Sequence, residues 1–352
     1  MTITKSRNSM NFERLKYYRN LIGGAVTCIK SRMSKTPRPL CLSLMVTNVC
    51  NCDCDFCYWK HKNDHEDMSL AEIQKLIKEA GEIGYLDSIF WGGEPLMRDD
   101  IADICKASHD AGLYTKIATN GWFLEENPDF GKYTDIMFVS CDAVGKAHDD
   151  IRHLPGCFDK LKSGIEYHKI HSPKMRIYTC CVVSAKTSFE QIKEVAQFCK
   201  DEDILMYISV NKSNQKLEEA QNVKDTELEA DQLSETFKQI KELKHSGYPI
   251  RISDYFMDYI IDKKNYYECH WPRIATVIYS NGDMLQCYDR QPYINVKNRS
   301  LKDVIKDPVF VNSVNKCKDC KLACVGNYAL DASGLWRLEW PAIKSLMQIA
   351  IT

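Results

Sequence analysis

The run Thr47-Asn48-Val49-Cys50-Asn51-Cys52-Asp53-Cys54-Asp55-Phe56-Cys57-Tyr58 places Cys50, Cys54 and Cys57 at C-x3-C-x2-C spacing. Three thiolates so spaced on one loop can hold three corners of a cubic iron-sulfur cluster, leaving the fourth iron without a protein ligand. An open coordination position is what separates a reactive metal centre from a structural one. Zinc is the competing reading. It expects two C-x2-C pairs, and Cys52 is the local source of a fourth thiolate. Thiols two residues apart would crowd a shared ion, however, which reads Cys52 as a bystander. A second set, Cys269, Cys287, Cys317, Cys320 and Cys324, offers five thiols for another metal centre, with zinc again open because C-x2-C pairs are common zinc knuckles. Cys28, Cys41, Cys105, Cys141, Cys157, Cys180, Cys181 and Cys199 sit in apolar strand or helix contexts and read as core residues.

These cysteines dominate an otherwise average composition. The chain has 352 residues, of which 17 are Cys, 44% are hydrophobic and 27% are charged. That excludes wholesale disorder, a polytopic membrane protein and a disulfide-stapled miniprotein. A net charge of -1 gives no reason to expect nucleic acid as a partner. Clustered thiols in a chain large enough to need no staples point to metal or redox chemistry in a reducing compartment, hence the cytoplasm.

An alternation of strands and helices must carry the thiols. Pro39 to Val46 is a continuous apolar run of strand length, and the first cysteine loop follows it directly. A helix then opens with Ser69 as N-cap and Glu72 three residues on, a capping box, and runs through Ile73, Leu76, Ile77, Ala80 and Ile83. Strand-like runs at Leu86 to Trp91, Leu113 to Ala118, Asp135 to Cys141, Met175 to Val183 and Ile204 to Val210 alternate with helical stretches near 99–111, 157–171 and 188–200. Six strands separated by helices predict parallel crossovers. Too few for a closed eight-unit barrel, they predict an α/β fold built on an open, partial (β/α)6 barrel over residues 39–211. Its catalytic groups should gather at the C-terminal strand ends. Residues 212–262 read as a helical connection, with Leu228, Leu233, Phe237, Ile240 and Leu243 on one face, and residues 263–352 as a small Cys-rich module with an apolar tail.

Residues 1–38 form an arm of their own, with nine basic residues against the single acid Glu13, a local charge of +8. Leu15, Tyr18, Leu21, Ile22, Ala25, Val26, Ile29 and Met33 recur at spacings of three and four, an amphipathic helix. Such a helix either lies peripherally on an anionic membrane surface or packs on the domain as a solvated helix. No uncharged apolar run approaches the ~20 residues of a transmembrane helix.

With an aromatic, Phe56, before its last Cys, the C-x3-C-x2-C loop resembles that of the radical S-adenosylmethionine (radical SAM) enzymes. The resemblance extends over residues 40–210. Trp91-Gly92-Gly93-Glu94-Pro95 resembles the family's GGEP motif, where glycine backbone and glutamate receive the amino group of SAM; glycine suits a place where a side chain would block the ligand. Thr119-Asn120-Gly121 resembles the TNG segment beside the cofactor. Ser140-Cys141-Asp142 followed by His148-Asp149 and Arg152 is similar to the S-x-D-G and H-D-x-x-R stretch, with Ala143 standing where the family has glycine. The resemblance implies Cys50, Cys54 and Cys57 as catalytic cluster ligands. It places Phe56, Gly92, Gly93, Glu94, Pro95, Thr119, Asn120, Ser140, Asp142 and Arg152 around SAM.

The C-x12-G-x4-C element from Cys269 through Gly282 to Cys287, with Asn281-Gly282 as a hairpin turn, resembles the half-length "twitch" form of the SPASM extension, which carries an auxiliary 4Fe-4S cluster. Cys269, Cys287, Cys317 and Cys320 fit as its ligands, and Cys324 competes for the last place. The implied activity is reductive cleavage of SAM to a 5′-deoxyadenosyl radical, which abstracts hydrogen from a substrate or adds to it. A reductant such as flavodoxin or ferredoxin would supply the electron. The substrate stays open between a peptide, a small molecule and an isoprenoid or other lipid met at a membrane surface. The alternative of another class is a non-catalytic iron-sulfur electron carrier or zinc-stabilised binding module, for which a GGEP and TNG pocket would have no use.

Overall fold

The computed structural model describes residues 39–57, 66–211, 225–264, 269–285, 294–316, 331, 334 and 337–344. The basic arm and four of the second-set cysteines, Cys287, Cys317, Cys320 and Cys324, lie outside the described residues, as does Cys28.

Strand β1 (Cys41–Thr47) is buried at every position, as a parallel strand covered on both faces must be. Helix α1 (Leu70–Ile83) follows, with the capping box between Ser69 and Glu72 in place and Gly84 ending it in the left-handed conformation. The chain continues through β2 (Asp87–Gly92), α2 (Ile101–Asp110), β3 (Tyr114–Thr119), β4 (Ile136–Ser140), α3 (Lys146–Arg152), α4 (Cys157–His171), β5 (Arg176–Val183), α5 (Phe189–Asp201) and β6 (Leu205–Val210). The six strands expected from the apolar runs are all present, each pairing parallel with its neighbour in sequence. The sheet does not close, and the fold is an open partial barrel.

Alternation along the strands separates two faces. Leu42, Leu44, Val46, Phe90, Ile117, Met137 and Val139 pack with Ile73, Leu76, Ile77 and Ala80 of α1 and with Ile101 and Ile104 of α2 in one continuous core. The opposite residues of β2, β3 and β5, among them Ile89, Trp91, Ala118, Tyr178, Cys180 and Val182, are only half-buried and form the concave face.

The Cys-rich C-terminal segment adds strands to this same sheet. β7 (Ala275–Ile278) pairs parallel with β1, aligning Cys41 with Ala275 and Leu44 with Ile278. The hairpin expected at Asn281-Gly282 joins it to β8 (Asp283–Leu285), with Gly282 at φ 86°, and β9 (Ile294–Asn295) completes the order β6-β5-β4-β3-β2-β1-β7-β8-β9. β1 is therefore interior although it comes first in the chain.

Between the two parts of the sheet, α6 (Ala230–His245) buries Leu233, Phe237, Ile240 and Leu243 against α7 (Asp254–Ile261), with the Phe237 and Phe256 rings 5.8 Å apart. The intervening backbone covers the β6 edge. Met206 N donates to Pro249 O at 2.9 Å and Arg251 N to Met206 O at 2.7 Å, which occupies groups that an exposed edge would leave open to another chain. Short helices α8 (Trp271–Ile274), α9 (Leu301–Val304) and α10 (Pro308–Lys316) flank the hairpin strands. Among the described residues, no helix is long and apolar enough to cross a membrane.

Candidate active site

Because β1 to β4 are parallel, the loops leaving them emerge at one end of the sheet. The exit from β1 is fixed first: Thr47 Oγ1 donates to Asp67 Oδ2 at 2.6 Å and accepts from Val49 N at 3.2 Å. The Gly92-Gly93-Glu94 segment then lies flat against this exit, with Gly93 N donating to Thr47 O at 2.9 Å and Glu94 N to Val49 O at 2.7 Å. A Cβ at position 92 would stand 2.2 Å from Thr47 O, and one at position 93 would stand 2.0 Å from Val49 O. The glycines thus have a packing role beside the one expected of them at the cofactor. What they admit is the chain's own cysteine loop, whose base they seat on β2.

Within the loop, Cys50 is exposed, Cys52 and Cys57 are half-buried and Cys54 is buried. Cys57 N donates to Cys54 O at 3.1 Å, a tight turn bringing the last two motif cysteines together. The Cys52 thiol is hydrogen-bonded to Cys50, Cys54 and Cys157. It is held well above its usual range, chiefly by Cys157, while Cys50 and Cys54 are lowered, with the Cys52 hydrogen bond the largest cause in each. Cys52 thus sits between the motif cysteines and Cys157. Cys157, read from sequence as core, is buried but belongs to this group. The signal that could have found it is its place at the first turn of α4, five residues after Arg152.

The loop rests on the C-terminal end of α3. Arg152 donates from Nε and Nη2 to Asp142 Oδ2 at 2.7 and 2.6 Å, points Nη1 at Cys54 Sγ, 3.7 Å away, and stacks its guanidinium 5.3 Å from the centre of the Phe56 ring. Asp142 is fully buried, and its second oxygen accepts from Val182 N at 2.9 Å. The Arg152 charge also favours the Cys54 thiolate. Ala143, where the family has glycine, keeps a negative φ and is fully buried, so this loop needs no glycine there.

On the other side, Glu94 is fully buried and accepts from Thr119 Oγ1 at 2.6 Å, Asn120 N at 2.6 Å and Leu96 N at 3.0 Å. Burial nevertheless pushes its carboxyl up to about 7. Asn120 Nδ2 reaches Asn51 Oδ1 at 2.7 Å and Cys52 Sγ at 3.3 Å. Gly121 takes φ 88°, and a Cβ there would meet Leu161 and Val139 within 3 Å. Pro95 is buried at the start of a short 3-10 turn, and Ser140 is half-buried at the end of β4, level with Cys180. The structure thus gathers Cys50, Cys54, Cys57, Phe56, Gly92, Gly93, Glu94, Pro95, Thr119, Asn120, Ser140, Asp142 and Arg152 at one end of the sheet. Of the second set, buried Cys269 precedes α8.

The donor set fits a cluster. Three thiols share one loop, Cys50 and Cys54 are biased toward the thiolate that ligation requires, and Asn51 Nδ2 is buried there without a hydrogen-bond partner. A family model described as the Radical SAM superfamily matches residues 44–199, from the middle of β1 into α5. Over those residues the chain matches the radical SAM superfamily. The superfamily's cofactors are a 4Fe-4S cluster and SAM, and its members are enzymes. Curated relatives include an AdoMet-dependent heme synthase of Methanosarcina barkeri, 28% identical over 50% of this chain and 51% of its own length. An S-adenosylmethionine-dependent nucleotide dehydratase of Selenomonas ruminantium is 28% identical over 44% of this chain and 61% of its own. The chain thus spans about half the length of the curated relatives it matches. Among solved structures, Streptococcus suis SuiB bound to precursor peptide SuiA superposes with a TM-score of 0.67 at 18% identity, covering 82% of this chain and 69% of SuiB. Native anSMEcpe with bound AdoMet gives 0.60 at 17% identity over 89% and 99%. At such identities the likeness is one of fold.

Proposed function

We propose that this chain cleaves SAM reductively and uses the resulting radical for hydrogen abstraction from, or addition to, an organic substrate. The observation carrying this reading is the Cys50, Cys54 and Cys57 loop, seated on Gly92-Gly93 and clasped through Cys54 by Arg152. When bound, the cluster and SAM supply a 5′-deoxyadenosyl radical. The protein's own residues hold and shield. Arg152 and Phe56 would fix the buried ligand Cys54, and Glu94 and Asn120, just past the ends of β2 and β3, with Ser140 at the end of β4, would hold the cofactor. The concave face below carries an aromatic wall, with Phe138 5.3 Å from Tyr178 and 5.7 Å from Tyr207, suited to hold a substrate out of water. A peptide, a small molecule or a lipid each fits such a wall. A PqqA peptide cyclase of Bradyrhizobium diazoefficiens, 34% identical over 24% of this chain and 23% of its own length, favours the peptide. In this proposal Cys269, Cys287, Cys317 and either Cys320 or Cys324 hold an auxiliary 4Fe-4S cluster, and a flavodoxin or ferredoxin supplies the electron.

Anaerobic reconstitution with iron and sulfide, followed by dithionite and SAM, should yield 5′-deoxyadenosine by chromatography. Cys54→Ala should abolish it while iron persists at the second cysteine set. Zinc in place of iron with no 5′-deoxyadenosine formed would overturn the reading, and SAM cleavage by Cys54→Ala would overturn the ligand assignment.

A further inference from the structure

The cysteine segment leaves the sheet at Thr47, and twenty positions later one carboxylate ties its two ends together. Asp67 Oδ2 accepts from Thr47 Oγ1 at 2.6 Å, and Asp67 Oδ1 accepts from Asn48 N at 3.3 Å. A second side chain joins the same two legs one step further back. Arg98 Nη1 donates to Val46 O at 2.9 Å on the outgoing leg and to Met68 O at 3.1 Å on the returning one. Asp100 aims that guanidinium, its two oxygens accepting from Nε and Nη2 at 2.7 Å each. Although Asp100 stands at the N-cap of α2, it makes no capping bond, because its carboxylate is engaged by Arg98. The returning leg is seated on the C-terminal hairpin: buried Met68 donates its N–H to Ser280 O at 2.6 Å, just before the Asn281-Gly282 turn.

The two clamps divide the work. Arg98 joins the legs at Val46 and Met68, inside the buried core, and Asp67 grips Thr47 and Asn48, the residues nearest Cys50. We infer that Asp67 is a positioning residue, which closes the cysteine segment at its base and fixes where Cys50, Cys54 and Cys57 stand relative to Glu94 and Asn120. The stretch it pins is shared with the pocket expected to hold SAM, since Glu94 N donates to Val49 O at 2.7 Å and Val49 N to Thr47 Oγ1 at 3.2 Å. This inference rests on the proposed reading of the loop as the site of SAM cleavage. Released at its base, the segment keeps its thiols but no longer holds them in one place beside the residues expected to bind SAM. The apparent affinity for SAM then falls, whatever fraction of the chain is loaded, while Arg98 keeps the sheet intact.

The test compares the full-length wild type with Asp67→Ala, Thr47→Val and Thr47→Ser. In the iron-free proteins, amide hydrogen exchange read by mass spectrometry should run several-fold faster across residues 48–57 in Asp67→Ala and Thr47→Val, with β3 to β5 unchanged. Thr47→Ser keeps the hydroxyl and should exchange as the wild type does. After anaerobic reconstitution, the KM for SAM in 5′-deoxyadenosine formation should rise several-fold in the first two variants and stay near the wild-type value in Thr47→Ser. KM does not depend on how much of the enzyme is active, so a mere loss of folded or loaded protein would leave it in place. Should Asp67→Ala fail to fold, Thr47→Val removes the 2.6 Å bond and carries the test alone. Wild-type exchange across 48–57, or faster exchange with an unchanged KM, would overturn the proposal. A wild type that forms no 5′-deoxyadenosine would sink the functional reading instead, and the exchange measurement would then decide by itself whether Asp67 holds the loop.

Discussion

Arg152 answers two buried acids from separate stretches of sequence, the Asp142 carboxylate ten residues before it and the Cys54 thiol in the first loop. Asp142 has no exposure, so removing the guanidinium strands a charge in the interior. Arg152→Met should therefore lower unfolding free energy by about 3–5 kcal/mol. The double variant Asp142→Asn/Arg152→Met should lose clearly less than the two single losses combined, measured as a double-mutant cycle in denaturant. Strict additivity would mean the pair is not coupled. At this scale the sequence reveals identities better than contacts. The motif marks Asp142 and Arg152 as site residues, but their grip on each other and on Cys54 arises only when α3 folds back under the loop. Cys52 and Cys157 show the same limit: one looks crowded out and the other looks like core, because thiol-to-thiol contact between distant elements leaves no periodicity to read.

The elements were more legible than their neighbours in space. Apolar runs of strand length locate all six strands of the partial barrel within a residue or two, and Ser69 with Glu72 marks the start of α1, because burial and capping are local demands. Which strand lies beside which end of the chain is a long-range matter. Cysteine spacing makes the region from residue 263 look like a module by itself and carries no hint that Ala275–Ile278 extends the main sheet through β1. The contact between β2 and the cysteine loop supplies a prediction at this scale. Gly93→Ala puts a methyl group 2.0 Å from Val49 O, so the loop must lift while the sheet, held by its own ladder, persists. Iron content after reconstitution should fall several-fold with far-ultraviolet circular dichroism unchanged. Full iron loading in Gly93→Ala would show that the close packing does not position the ligands.

Across the whole molecule, the described tail residues are fastened to α7. Ser253 caps that helix by accepting from Phe256 N at 3.0 Å, and its hydroxyl donates to buried Asp331 at 2.5 Å. Tyr255 hydrogen-bonds Glu339, which also holds Arg337 at 2.5 Å. Burial pushes the Asp331 carboxyl up to about 7 from 3.8. Between those values the folded chain keeps a proton that the unfolded chain releases, so this group's contribution to stability falls as pH rises through the window. At about 1.4 kcal/mol per pH unit the swing reaches a few kcal/mol. From about pH 5 to about pH 8 the wild type should therefore lose more stability than Asp331→Asn in chemical denaturation; parallel curves would remove Asp331 as the cause. The position of β1 bears on how the chain is made. Cys41 finds its partner Ala275 only late in translation, so on the ribosome β1 keeps one side of its backbone unpaired and open to pairing with another nascent chain. The strand that carries the cysteine loop is thus the last of the central strands to be secured. Metal delivered before Ala275–Ile278 has left the ribosome would meet a loop whose supporting strand is bonded on one side alone.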